Sequence, residues 1–129
     1  MLNSAIAVFI GAGFGALARW VLGLWLNPVF PTVALGTLAA NAIGGLLMGL
    51  AMAAFVQSES LSPLLRLALT TGFLGGLTTF SAFSAETCAL LLRGQYAWAA
   101  ATVCLHVGAS LLATLAGVAL FGWVASRAV

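Results

Sequence analysis

A chain of 129 residues that is 64% hydrophobic and 5% charged has too few polar side chains to coat a soluble globule. Its ionised groups are four arginines (Arg19, Arg66, Arg93, Arg127) and two glutamates (Glu59, Glu86), and the net charge of +2 excludes a nucleic-acid footprint. Uncharged runs over residues 20–58 and 94–126 exceed the ~20 residues that a helix needs to cross hydrocarbon, so the chain is expected in membrane lipid as a single domain over residues 1–129.

Clusters of proline, glycine and polar residues punctuate the apolar sequence at Asn27-Pro28-Val29-Phe30-Pro31, at Gln57-Ser58-Glu59-Ser60 before Pro63, and at Arg93-Gly94-Gln95. They predict four spans, over residues 4–26, 32–56, 63–92 and 96–124. Each has to be helical, because backbone polar groups in lipid must be satisfied within their own segment and the sequence carries no alternating strand pattern. The first segment lacks a basic start and is followed by further spans, so it reads as mature structure rather than a signal peptide. Trp20, Trp25, Tyr96, Trp98 and Trp123 fall near span ends, where amphipathic rings anchor helices at the headgroups. The loops are too short to hold a globular domain, which places the function inside the membrane.

In the first span, Gly11 and Gly15 have the spacing that lets helix backbones approach closely, as do Gly45 with Gly49 in the second and Gly72 with Gly76 in the third. Four helices with such faces make a bundle too thin to enclose a pore, and oligomerisation is expected. On the second span, Thr37 and Asn41 lie one turn apart with Gly45 continuing the stripe. The Asn41 amide in mid-membrane needs partners, and either donates to an ion or joins helices.

The third span carries Gly75-Gly76 followed by Thr78-Thr79, poor helix formers beside β-branched residues, which predicts a helix broken near the bilayer midplane. Irregular backbone at that depth has to face protein or a water-filled cavity, and its freed carbonyls suit a small hard cation. Beyond it, Phe80, Phe83, Ser84 and Thr87 share one helical face. Positive ring edges there, with the hydroxyls of Ser81 and Ser84, could receive a poorly hydrated anion; the same spacing also suits plain packing of aromatics in a bilayer. Glu86 is the acidic residue inside a span, either a functional carboxylate or a solvated group at a mouth. On the fourth span His106, Ser110 and Thr114 repeat at i, i+4 and i+8 as a polar rail, in which a neutral imidazole can stand in for a hydroxyl. Cys88 and Cys104 lie in apolar helix and act as small hydrophobes, implying neither a disulfide framework nor a metal site.

Arginines near span ends normally decide orientation. Arg66 and Arg127 fall on the side of both termini and the second loop, Arg93 and Arg19 toward the other side. With two against two, either orientation is open, and a homodimer of opposite orientations follows.

The run Gly75-Gly76-Leu77-Thr78-Thr79-Phe80-Ser81-Ala82-Phe83-Ser84-Ala85-Glu86, with Asn41-Ala42-Ile43-Gly44 and Gly11-Ala12-Gly13-Phe14-Gly15-Ala16-Leu17-Ala18-Arg19-Trp20, resembles the CrcB/Fluc fluoride channel family over essentially the whole chain. That resemblance implies an all-helical, four-span antiparallel homodimer in the bacterial inner membrane, with two pathways through which fluoride leaves the cytoplasm. It implies a structural sodium ion at the two-fold axis, held by backbone carbonyls that map onto Gly75 and Thr78. Phe80 and Phe83 match the family's pore phenylalanines, Asn41, Ser81 and Ser84 its polar pore positions, Arg19 its vestibule arginine, and His106, Ser110 and Thr114 its fourth-helix hydroxyl track. The sequence departs from the pattern at Ala82, where a threonine is common, so one hydroxyl is missing from the path.

Two other readings compete. A small dual-topology proton-coupled multidrug exporter also has four short helices, but it needs a carboxylate deep in the first span, where this chain has Arg19. An intramembrane hydrolase using Ser84, Glu86 and His106 lacks a glycine-flanked nucleophile turn, and Ser84 and Glu86, two apart on a helix, do not face each other.

Overall fold

The computed structural model describes residues 1–57 and 61–127. Of the predicted second break, Ser58, Glu59 and Ser60 lie outside the described residues. The described chain is all helical, with four segments long and apolar enough to cross a membrane: Leu2–Val29, Leu35–Gln57, Pro63–Leu92 and Tyr96–Ala125. The first contains helix α1 (Leu2–Leu26) and a 3₁₀ turn (Asn27–Val29), the second is helix α2 (Leu35–Gln57), and the last is helix α6 (Tyr96–Ala125). A helix of 25 residues is ~37 Å long, enough for a hydrocarbon core of ~30 Å.

The third segment is built differently. It runs through α3 (Pro63–Leu67), a π-helical stretch (Ala68–Leu74), a single turn α4 (Gly75–Leu77) and helix α5 (Phe80–Leu92). Between α4 and α5, Thr78 (φ −82°, ψ 154°) and Thr79 (φ −149°, ψ 120°) are extended. Gly75 and Gly76 themselves stay helical; the β-branched pair leaves the helix, and its hydroxyls compensate locally. Thr78 Oγ1 donates back to the Leu74 carbonyl at 2.8 Å, and Thr79 caps α5 by accepting from the Ala82 amide at 3.1 Å. The π-helical stretch was not legible beforehand. The Thr70 hydroxyl bonds the Arg66 carbonyl at 2.8 Å just as the wider turns begin.

The ends of the segments follow from their residues. Ser62 accepts from the Leu65 amide with Pro63 in the first helical position, where a missing N–H costs nothing. At the other end Gly94, with φ 72°, lets the Gln95 amide return to the Leu90 carbonyl and its own amide to Leu91. Only glycine takes that left-handed conformation freely. Arg127 lies 4.0 Å from the Trp123 ring centre and Arg66 4.9 Å from that of Phe55, pairing cation and aromatic near the chain's span ends.

Two helix pairs form the bundle: α1 packs along the third segment, and α2 along α6. Both contacts are backbone against backbone. A Cβ added at Gly11 would stand 2.5 Å from the Ala68 carbonyl oxygen, and one at Gly45 would stand 2.6 Å from that of Ser110. Ala40, Leu74 and Leu77 form the buried centre between the pairs, with Leu22, Leu47 and Phe73 packed around them. Gly49→Ala would push a methyl to 2.9 Å from the Thr114 carbonyl carbon and 3.0 Å from the Val118 amide, whereas Gly13 has open space within 4 Å. Thermal unfolding in detergent is expected to show Gly49→Ala destabilised by ~1–3 kcal/mol. Gly13→Ala should be neutral or stabilising by up to ~1 kcal/mol.

Candidate functional site

The extended pair Thr78-Thr79 cannot satisfy its own backbone, and α2 supplies what is missing. Asn41 Oδ1 accepts from the Thr79 amide at 2.8 Å, and Asn41 Nδ2 donates to the Thr79 carbonyl at 3.1 Å. The two bonds fix which end of the amide is which, because a backbone N–H can only donate and a carbonyl only accept. The Asn41 Nδ2 group also lies 3.2 Å from His106 Nδ1 on α6. One turn earlier on α2, Thr37 Oγ1 donates to Glu86 Oε1 on α5 at 2.6 Å. The polar stripe of α2 therefore reaches the third segment twice and α6 once.

Carbonyls beside Asn41 are left without their helical donors. The Thr79 amide, which would serve Gly75, goes to Asn41, and the Ala82 amide, which would serve Thr78, goes to the Thr79 hydroxyl. Gly76 keeps a partner from outside, since Arg19 Nε donates to its carbonyl at 3.1 Å. Two backbone oxygens three residues apart on an exposed to half-buried face form a donor set suited to a hard cation.

An open groove of about 490 Å³ runs along this face. It gathers Asn41, Gly75, Thr78, Phe80 and Phe83 from α2 and the third segment. From α6 it gathers all three members of the rail, His106, Ser110 and Thr114. The Phe80 and Phe83 rings meet edge-on with centres 5.4 Å apart, and the Phe83 ring lies 4.9 Å from that of His106. Phe83 is 9% exposed and Phe80 79%, so one ring is held by the fold while the other stands at the open side. Thr114 turns its hydroxyl back to the Ser110 carbonyl at 2.9 Å, leaving its oxygen lone pairs as the polar surface it offers.

Other candidate residues lie elsewhere. Arg19 is behind the groove, against Gly76, and lines neither this cavity nor the second one described below. Ser81 is exposed with its Oγ 3.2 Å from Thr79 Oγ1, while Ser84 is half-buried and outside both cavities. Glu86 is no freely solvated carboxylate: it holds Thr37 through one oxygen, and its other oxygen is buried. It lines a smaller cavity of about 180 Å³ with Arg93, Asn27 and Thr102. Sequence reasoning placed Thr79 in the irregular backbone without its role as the anchor of the site, and it missed Thr102, a lone hydroxyl in an apolar helix that nonetheless lies one turn before His106.

These features define a multi-pass membrane protein whose polar groups are gathered along a groove beside irregular backbone. The chain belongs to the CrcB family: the model described as "CrcB-like protein, Camphor Resistance (CrcB)" matches residues 6–118. A protein named fluoride-specific ion channel FluC from Pseudomonas putida (strain W619) is 54% identical over 127 residues, covering 98% of this chain and 100% of its own length. Proteins of the same name from Chromobacterium violaceum and Albidiferax ferrireducens are 53% identical over 124 residues and 57% identical over 120, covering 96% and 92% of this chain and 98% and 90% of their own lengths.

Asn41→Leu keeps the bulk but strands the Thr79 amide, the Thr79 carbonyl and His106 Nδ1. Stranding a buried polar group costs ~1–3 kcal/mol. Hydrogen–deuterium exchange is expected to show the Thr79 amide losing protection in that variant, with unchanged protection in the middle of α1.

Proposed function

We propose that the protein is a fluoride-selective channel rather than an enzyme, and that it lets fluoride leave the cytoplasm across the bacterial inner membrane down its electrochemical gradient. The observation that carries this reading is the groove itself. Edge-on phenyl rings, hydroxyls and an amide lie side by side along irregular backbone, in a family whose similar members bear the name fluoride-specific ion channel. A small anion that sheds water there meets the positive edges of Phe80 and Phe83 and the hydroxyl donors of Ser110 and Ser81, with Asn41 and His106 lining the route as a bonded pair. Thr114, Ser84, Thr37 and Glu86 continue the polar route above and below, and Arg19 adds positive charge behind it.

The groove is open on one side, and that side needs a cover. Backbone carbonyls without donors are costly in hydrocarbon, and Gly75 is exposed there beside Phe80. A second copy of the chain is the proposed cover, inserted in the opposite orientation because the arginines favour neither. The third segment is then broken near the bilayer midplane and faces its counterpart, with a pathway along each groove. The carbonyls of Gly75 and Thr78 from both copies hold a structural sodium ion at the dimer centre. When bound, that ion supplies a fixed positive charge that offsets the exposed carbonyl dipoles. The chain's own part is to present those carbonyls: Asn41 and the Thr79 hydroxyl draw away the two amides that would otherwise occupy them.

Fluoride efflux from proteoliposomes, read with a fluoride electrode, tests the function. Phe80→Ile and Phe83→Ile retain bulk and remove the ring edge, and each is expected to cut efflux steeply while the protein still assembles. Unchanged efflux in both variants would overturn the ring-edge mechanism. Orientation is tested separately. A cysteine-bearing tag after Val129, in a background with Cys88 and Cys104 replaced by serine, should label from both faces of the membrane; labelling from one face alone would exclude the antiparallel dimer.

A further inference from the structure

Three buried side-chain atoms have no hydrogen-bond partner among the described residues: Glu86 Oε2, Thr102 Oγ1 and His106 Nε2. They belong to one neighbourhood. Thr102 and His106 are one turn apart on α6, and so share a face. Thr37 and Asn41, one turn apart on α2, hold Glu86 and His106 respectively. Glu86 lies three residues beyond Phe83 on α5, and the Phe83 ring is against His106. Glu86 and Thr102 both line the smaller cavity, while His106 lines the larger groove. Thr102 is 1% exposed and His106 3%, so neither reaches solvent by itself.

Hydrogen-bond direction decides what these atoms can hold. The Thr79 backbone fixes the Asn41 amide so that Nδ2 is the end facing His106, and an amide nitrogen only donates. His106 Nδ1 must therefore accept, which puts the proton of the neutral ring on Nε2. The three atoms are then a ring N–H donor, a carboxyl acceptor and a hydroxyl that can do either. Water, with two donors and two acceptors, complements that set, and three polar partners match the usual coordination of a buried water.

We propose that Glu86, Thr102 and His106 bind a water molecule that joins the two cavities, accepting from His106 Nε2–H and donating to Glu86 Oε2, with the Thr102 hydroxyl closing the triangle. This bridge continues the polar route from the groove to the mouth at Arg93 and Asn27. That consequence rests on the fluoride reading; the water site itself does not.

His106 is the single histidine in the chain, so ¹⁵N-histidine labelling reports it alone. Solid-state NMR of the protein in lipid bilayers, in fluoride-free sodium buffer at neutral pH, should show Nε2 protonated, Nδ1 unprotonated, and magnetisation passing from water to Nε2. Thr102→Val is expected to lose that transfer and keep the tautomer, which Asn41 sets, and Thr102→Ser to restore the transfer. A proton on Nδ1, absence of transfer in the wild type, or equal transfer in Thr102→Val would overturn the site. The wild-type spectrum decides the matter even where Thr102→Val does not fold. Fluoride efflux is the second arm: it should fall several-fold in Thr102→Val and recover in Thr102→Ser. Loss of water transfer with undiminished efflux would leave the water site standing and overturn its place in the route. A wild type without fluoride efflux would refute the channel reading and leave the NMR result unaffected.

Discussion

The polar architecture depends on the pair of hydrogen bonds between the Asn41 side chain and the backbone of Thr79. An extended dipeptide inside an apolar bundle has to satisfy an N–H and a C=O that the helix no longer serves, and water is not at hand to do it. One primary amide, carrying an acceptor and a donor side by side, meets both demands at once. Asn41 thereby takes the place of a neighbouring strand. Everything nearby inherits its direction: the tautomer of His106 follows from the amide's orientation, and the carbonyls of Gly75 and Thr78 are free because the competing amides are engaged.

The bundle separates the work of packing from the work of the site. Glycine faces draw α1 against the third segment and α2 against α6 until backbones touch. The second approach brings Asn41 within reach of His106, and Gly44, seated against the Thr78 side chain, lets α2 come close where Asn41 reaches Thr79. Side chains of ordinary size at Gly45 or Gly11 would spread the helices by ångströms, and a hydrogen bond tolerates only a few tenths. The small-residue pattern and the polar groove are thus mechanically linked, although no glycine of the α1 interface touches the groove.

Arg19 illustrates the same economy. It stands in a span where an unpaired cation is expensive, yet its Nε donates to the Gly76 carbonyl, part of the backbone distorted by the extended pair. The guanidinium and the irregular turn each supply what the other lacks. Its positive charge then sits close behind a groove lined by ring edges and donors.

The sequence by itself determined the number of spans and nearly all their ends, because hydropathy, proline, glycine and charge act locally along the chain. The predicted segments 4–26, 32–56 and 96–124 differ from Leu2–Leu26, Leu35–Gln57 and Tyr96–Ala125 by no more than three residues at any end. It also singled out Asn41, the Phe80–Phe83 pair and the rail His106, Ser110, Thr114 as candidates, since polar groups in an apolar helix stand out. Only the tertiary structure decided what these groups do to one another. That Gly75 and Gly76 stay helical while Thr78 and Thr79 do not, that Arg19 serves Gly76, that Glu86 is bound to Thr37, and that Thr102 shares a neighbourhood with Glu86 and His106 all depend on contacts between residues 38 to 65 positions apart, or farther along one face than any local pattern reaches. The physical reason is that a hydrogen bond is directional: periodicity can place a donor on a face, but its partner and its direction exist only once the helices have packed.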